Sequence, residues 1–111
     1  MTPGAATLEV DLETFARAFE AGATVLDVRN GDEYRNAHVP GAVLIPLSEL
    51  AARQQEVPDA DPLYVICAVG GRSLTATKAL VEAGYQAMSV AGGTNGWIER
   101  GGPIATGDDA G

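Results

Sequence analysis

The chain has 111 residues, 46% of them hydrophobic, and a formal charge of −8 from 7 basic and 15 acidic side chains. That length builds one core of ordinary size and leaves halves too small to fold unaided, so one domain over residues 1–111 is expected, with its core at about 8–103. The acidic balance excludes nonspecific attraction to nucleic acid or anionic lipid, and no apolar run is long enough for a bilayer; without a leader-like N-terminus, a soluble, cytoplasmic protein is expected.

Asp11 is placed to cap a helix in which Leu12, Phe15, Ala16 and Phe19 recur at helical spacing and Gly22 ends the run. Thr24 to Val28 reads as a buried strand, Asn30 to Asn36 as a short helix, and Val43-Leu44-Ile45, after the Pro40-Gly41 break, as another strand. Ser48 caps a predicted short helix through Gln55, and Pro58 to Pro62 is an acidic loop. Leu63-Tyr64-Val65-Ile66 is the most apolar run and predicts a central strand, followed by a Gly70-Gly71 loop and a helix from Ser73 to Ala83. Ala87 to Val90 is a last strand, with a final helical turn around Trp97-Ile98 and a frayed Gly- and Asp-rich tail from Gly101. With Thr7 to Val10 as an edge strand, the alternation predicts an α/β fold: a mostly parallel sheet covered by helices on both faces.

Ligands of such sheets bind outside the carboxyl ends of the strands, which directs attention to Cys67. It is the only cysteine, so no internal disulfide forms and no second thiol is at hand. A lone cysteine ending a buried strand is commonly just a small hydrophobe. Here it opens the segment Cys67-Ala68-Val69-Gly70-Gly71-Arg72 before a helix start, a combination without a packing rationale. Two glycines let the chain curl so that backbone N–H groups converge on the sulfur, and the helix dipole and Arg72 add to an environment that favours a thiolate.

Cys67-x-x-Gly70-x-Arg72 resembles the active-site loop of the rhodanese family. Leu26-Asp27-Val28-Arg29 with Glu33-Tyr34, then His38-Val39-Pro40-Gly41-Ala42 with Ile45-Pro46, and Gly92-Gly93-x-x-Gly96-Trp97 match in the same order, over about residues 8 to 103. The resemblance implies a rhodanese-like fold with a five-stranded parallel sheet. It also implies a cysteine that takes a sulfane sulfur from a small donor such as thiosulfate or a persulfide. The sulfur then passes to a thiophilic acceptor: cyanide, a thiol or a protein. No cofactor or metal is expected. Phosphatases that resemble this family place five residues between cysteine and arginine; four stand here, Ala68 to Gly71, which suits one bonded sulfur better than a phosphate.

These four loop residues are uncharged, whereas some family members carry further basic residues there. That argues against efficient use of thiosulfate and leaves room for a persulfide donor. Arg72 is expected to contact substrate, with Ala68, Val69, Gly70 and Gly71 supplying the cradle and Ser73 in support. Asp27 is expected to support the loop by accepting backbone N–H bonds or to pair with an arginine. Arg29 and Glu33, four apart, are expected to pair with each other. The only histidine, His38, is assigned to the scaffold and Trp97 to the core, while Gly92 and Gly93 let the chain pass close to the active loop. A sulfur carrier serving a partner protein is the competing reading, followed by a regulatory domain; a monomer is expected.

Overall fold

All four side chains of Leu63–Ile66 are buried, and a strand with two apolar faces is stable only between two covering layers. The computed structural model, which describes residues 8–111, supplies them. In chain order the elements are β1 (Glu9–Val10), α1 (Leu12–Glu20), β2 (Thr24–Asp27), α2 (Gly31–Asn36), β3 (Val43–Leu44), β4 (Leu63–Ile66), α3 (Gly71–Glu82), β5 (Ala87–Val90) and α4 (Gly93–Glu99). The strands form one sheet in the order β1-β5-β4-β2-β3, and every pairing is parallel. This is the five-stranded α/β architecture expected from the sequence.

Alternation along the strands divides the core in two. Leu26, Leu63, Val65 and Cys67 pack on one face with Ala76 and Leu80 of α3. Val25, Tyr64, Ile66 and Val90 pack on the other with Phe15 of α1, Tyr34 of α2 and Trp97 of α4. The Trp97 ring meets Phe15 and Phe19 edge-on at 5.1 and 5.2 Å, the core role expected of it. The Asp11 carboxylate caps α1 by accepting the Thr14 N–H at 2.8 Å.

Local differences from the sequence reading have local causes. Thr7 lies outside the described residues, and β1 begins at Glu9. The single helix expected from Ser48 to Gln55 is replaced by two 3₁₀ turns, Leu47–Glu49 and Gln54–Glu56, because this segment serves to bring Leu50 and Val57 into the core on the α3 face. The tail expected to fray after Gly101 instead finds partners. Ala105 exchanges backbone hydrogen bonds with His38 at 2.9 and 2.8 Å, and the Gly107 N–H donates to the Arg35 carbonyl at 2.8 Å. Among the described residues no helix is long and apolar enough to cross a membrane.

Asp27 and Arg29, at the end of β2, are almost fully buried. The Asp27 carboxylate accepts the Arg29 backbone N–H at 3.0 Å and its guanidinium at 2.7 to 3.1 Å, while the same guanidinium donates to the Ala37 carbonyl at 2.8 Å. The pair ties the end of β2 to the far end of α2. Of the two roles expected of Asp27, arginine pairing is the one realised; the expected Arg29–Glu33 pair does not form, because Arg29 turns inward to this carboxylate. Asp27→Ala leaves a buried guanidinium uncompensated and is predicted to cost about 3–5 kcal/mol in urea denaturation.

Candidate active site

Cys67 leaves the C-terminal end of β4 on the α3 face of the sheet and is only 1% exposed. Gly70, at φ +117°, adopts a conformation that side chains avoid. This lets α3 begin at Gly71, two residues earlier than expected at Ser73, so Gly71 and Arg72 already belong to its first turn. The N-terminus of a twelve-residue helix is thereby brought against the cysteine.

Two groups reach the sulfur directly. The Gly70 N–H donates to Sγ at 3.1 Å, and the Ser73 hydroxyl lies 3.4 Å from it. That hydroxyl also donates to the Gly70 carbonyl at 3.2 Å and sits 2.7 Å from the hydroxyl of Ser89 on β5. Both serines are fully buried.

A second helix fixes the loop from behind. The Thr94 N–H donates to the Cys67 carbonyl at 2.8 Å and the Asn95 N–H to the Ala68 carbonyl at 3.0 Å. In a trans peptide the carbonyl and the following N–H point in opposite directions, so anchoring these carbonyls on α4 turns the Ala68 and Val69 N–H groups away from α4. A methyl group on Gly93 would overlap both carbonyl oxygens, which explains the glycine where the sequence anticipated a close approach.

Burial pushes the Cys67 thiol up, but the Ser73 hydroxyl and the backbone N–H groups of Ser73, Gly70 and Val69 outweigh it and hold the pKa below the ordinary thiol value. The site stabilises a negative sulfur chiefly with neutral dipoles.

Arg72 has a partner that the sequence did not anticipate. Its guanidinium forms a two-pronged pair with Glu33 of α2, at 2.8 and 2.9 Å. Glu33 also accepts the Asn30 N–H at 3.1 Å, and Arg72 with Asn30 holds its carboxyl down at about 2. His38 is fully buried and stacked on Tyr34, its ring nitrogens facing the carbonyl oxygens of Tyr34 and Asp109 at 2.7 and 2.8 Å. It serves the scaffold. Val69, 67% exposed, forms the outer tip of the loop.

Sequence reasoning missed Ser89 and the pairing of Glu33. Ser89 had a signal: an inward-facing serine on the strand beside β4, on the same face as Cys67. Among the described residues no cluster of three or more His, Cys, Asp or Glu could hold a metal ion.

Fold and site together define an α/β domain with a buried cysteine in a glycine-rich loop at the end of its central strand. A family model of the rhodanese-like domain matches residues 11–100, and the chain belongs to that family. Thiosulfate sulfurtransferase 18 of Arabidopsis thaliana is 32% identical over 89% of this chain and 84% of its own length. A Bacillus subtilis protein, YrkF, whose name proposes a sulfur-carrier role, is 36% identical over 83% of this chain; the match spans 51% of that protein, about half its length. Among solved structures, a rhodanese-related protein from Thermoplasma volcanium superposes with a TM-score of 0.81 at 32% identity, covering 87% of this chain and 96% of that one.

Two substitutions test the site. Ser73→Ala removes the hydroxyl hydrogen-bonded with the sulfur and is predicted to raise the thiolate titration, followed by absorbance at 240 nm, by about one pH unit. Gly93→Ala forces the loop off α4 and is predicted to cost about 2 kcal/mol or more in urea denaturation, with the thiolate titration also moving up.

Proposed function

We propose that this domain transfers sulfane sulfur through a persulfide on Cys67. The observation that carries the reading is a lone thiol at a helix N-terminus whose Sγ receives the Gly70 N–H and is hydrogen-bonded with the Ser73 hydroxyl. In the first step the Cys67 thiolate attacks the outer sulfur of a donor. The S–S bond of the donor breaks and its electron pair leaves with the remainder, sulfite when the donor is thiosulfate. The new terminal sulfur of the persulfide carries the negative charge, and the N–H groups of the first turn of α3 stabilise it.

In the second step a thiophilic acceptor attacks that terminal sulfur, and the electron pair of the S–S bond returns to Cys67. With cyanide the product is thiocyanate. The cycle is a two-step displacement in which one sulfur atom and its charge move on and off the protein, and it needs neither redox partner nor metal. Ala68, Val69, Gly70 and Gly71 shape the cradle and Ser73 tunes the thiolate.

A carrier variant of the same chemistry, with a protein as acceptor, has its own support. The chain has a single cysteine, and the relative from Bacillus subtilis is named for sulfur carriage. Intact-mass spectrometry of the reduced protein after treatment with thiosulfate or a polysulfide, and again after cyanide, tests the proposal. The expected result is gain of one sulfur atom, its removal by cyanide, and no gain in Cys67→Ser. No adduct from either donor would overturn the reading. An adduct that small acceptors discharge slowly and a partner protein discharges quickly would identify a carrier.

A further inference from the structure

The active loop contains one cation, and the structure gives it a counter-ion. Ala68, Val69, Gly70 and Gly71 are uncharged, and Arg72 is bound through two nitrogens to both carboxylate oxygens of Glu33. The carboxylate is itself fixed from the other side by the Asn30 N–H, at the start of its own helix. About a third of each side chain is exposed, so the pair is partly open to solvent, and Arg72 stands in the first turn of α3 directly after the Cys67 loop.

This matters because candidate sulfur donors differ in charge. Thiosulfate arrives as a dianion at a protein of net charge −8, and its sulfonate head requires a cation or several donors to offset desolvation. A donor whose leaving group carries one charge fewer has less need of a cation. An arginine already held by two hydrogen bonds to a carboxylate presents little net positive charge to either.

We propose that Glu33 is a specificity-determining residue: by neutralising Arg72 at the mouth of the site, it selects against dianionic sulfur donors in favour of donors of lower charge. Glu33 acts through Arg72 and touches no reacting atom, so it is a positioning residue. The inference rests on the sulfur-transfer reading given above and adds a reason, absent from the loop sequence, for the choice of donor.

A suitable pair of probes shares the same reacting bond. Thiosulfate and the methanethiosulfonate anion both present an outer sulfur bonded to an oxidised sulfur, with sulfite and methanesulfinate as the respective leaving groups, and differ by one charge. The quantity to measure is the ratio of kcat/KM for thiosulfate to that for methanethiosulfonate, with cyanide as acceptor and ionic strength fixed. Leaving-group differences cancel when this ratio is compared between variants.

Glu33→Gln retains an oxygen for the Asn30 N–H and a hydrogen bond to Arg72 while removing the charge, and a helix start accepts Gln in place of Glu. It is expected to raise the ratio about fivefold, an effect that added salt diminishes. Arg72→Gln in the wild-type background leaves the Glu33 carboxylate unmatched and is expected to lower the ratio several-fold, again in a salt-dependent way. Combining both substitutions is expected to cancel the gain of Glu33→Gln.

A Glu33→Gln ratio within twofold of wild type, in a protein with an unchanged circular dichroism spectrum, would overturn the inference alone. So would a fall of tenfold or more in the ratio on the double substitution, which would show that Arg72 binds the dianion even while paired, and which remains decisive if Glu33→Gln alone does not fold. Failure of both donors to load sulfur on the wild type, read by intact mass, would remove the functional reading and this inference with it.

Discussion

Two hydrogen bonds from the start of α4, Thr94 and Asn95 to the carbonyls of Cys67 and Ala68, constrain everything else at the site. A loop of so few residues has no internal means of choosing which way its peptides face. Left free, its carbonyls could turn toward the sulfur and disfavour a thiolate. Anchored on α4, they face away and the N–H groups after them are freed for the anion. Gly93 makes the approach possible, since any side chain there would overlap both carbonyls. A glycine remote from the reacting atom in sequence is in this way a condition of its chemistry.

Sheet order explains why these parts meet. With β4 central, its C-terminal end is flanked by the ends of β5 and β2. From β5 comes Ser89, on the Cys67 side of the sheet, whose hydroxyl engages Ser73; beyond β5 the chain turns directly into α4, which holds the loop. From β2 come Asp27 and Arg29, whose buried pair fixes the connection into α2 and hence the position from which Glu33 reaches Arg72. The two neighbours thus have separate tasks: one sets the loop's dipoles, the other sets the charge at its rim.

Much of this was legible in the sequence because it depends on local pattern. Apolar runs placed the strands, Gly70-Gly71 marked the loop, and the resemblance to rhodaneses placed Cys67 at its head. What escaped depends on partners far along the chain. Arg29 and Glu33 have the spacing of a helical ion pair, yet Arg29 turns to Asp27 and Glu33 pairs with Arg72, 39 residues away. The partner of Arg72 escaped as well, because nothing next to it in sequence is acidic. The expected helix at Ser48 to Gln55 gave way to two short turns for a similar reason, since burial of Leu50 and Val57 outweighed local propensity. The segment after Gly101 has the composition of a loose end, and its backbone partners at Arg35 and His38 leave no trace in composition.

The central claim is that amides held in place by α4 stabilise an extra, negatively charged sulfur on Cys67. A crystal structure of the protein after treatment with a sulfane-sulfur donor tests it most directly. The account predicts one additional atom bonded to Cys67 Sγ, in hydrogen-bonding contact with N–H groups of the loop and the first turn of α3, with the Cys67 and Ala68 carbonyls still bound to Thr94 and Asn95. A sulfur that points out of the loop toward solvent, or a loop released from α4 to accommodate it, would contradict that claim.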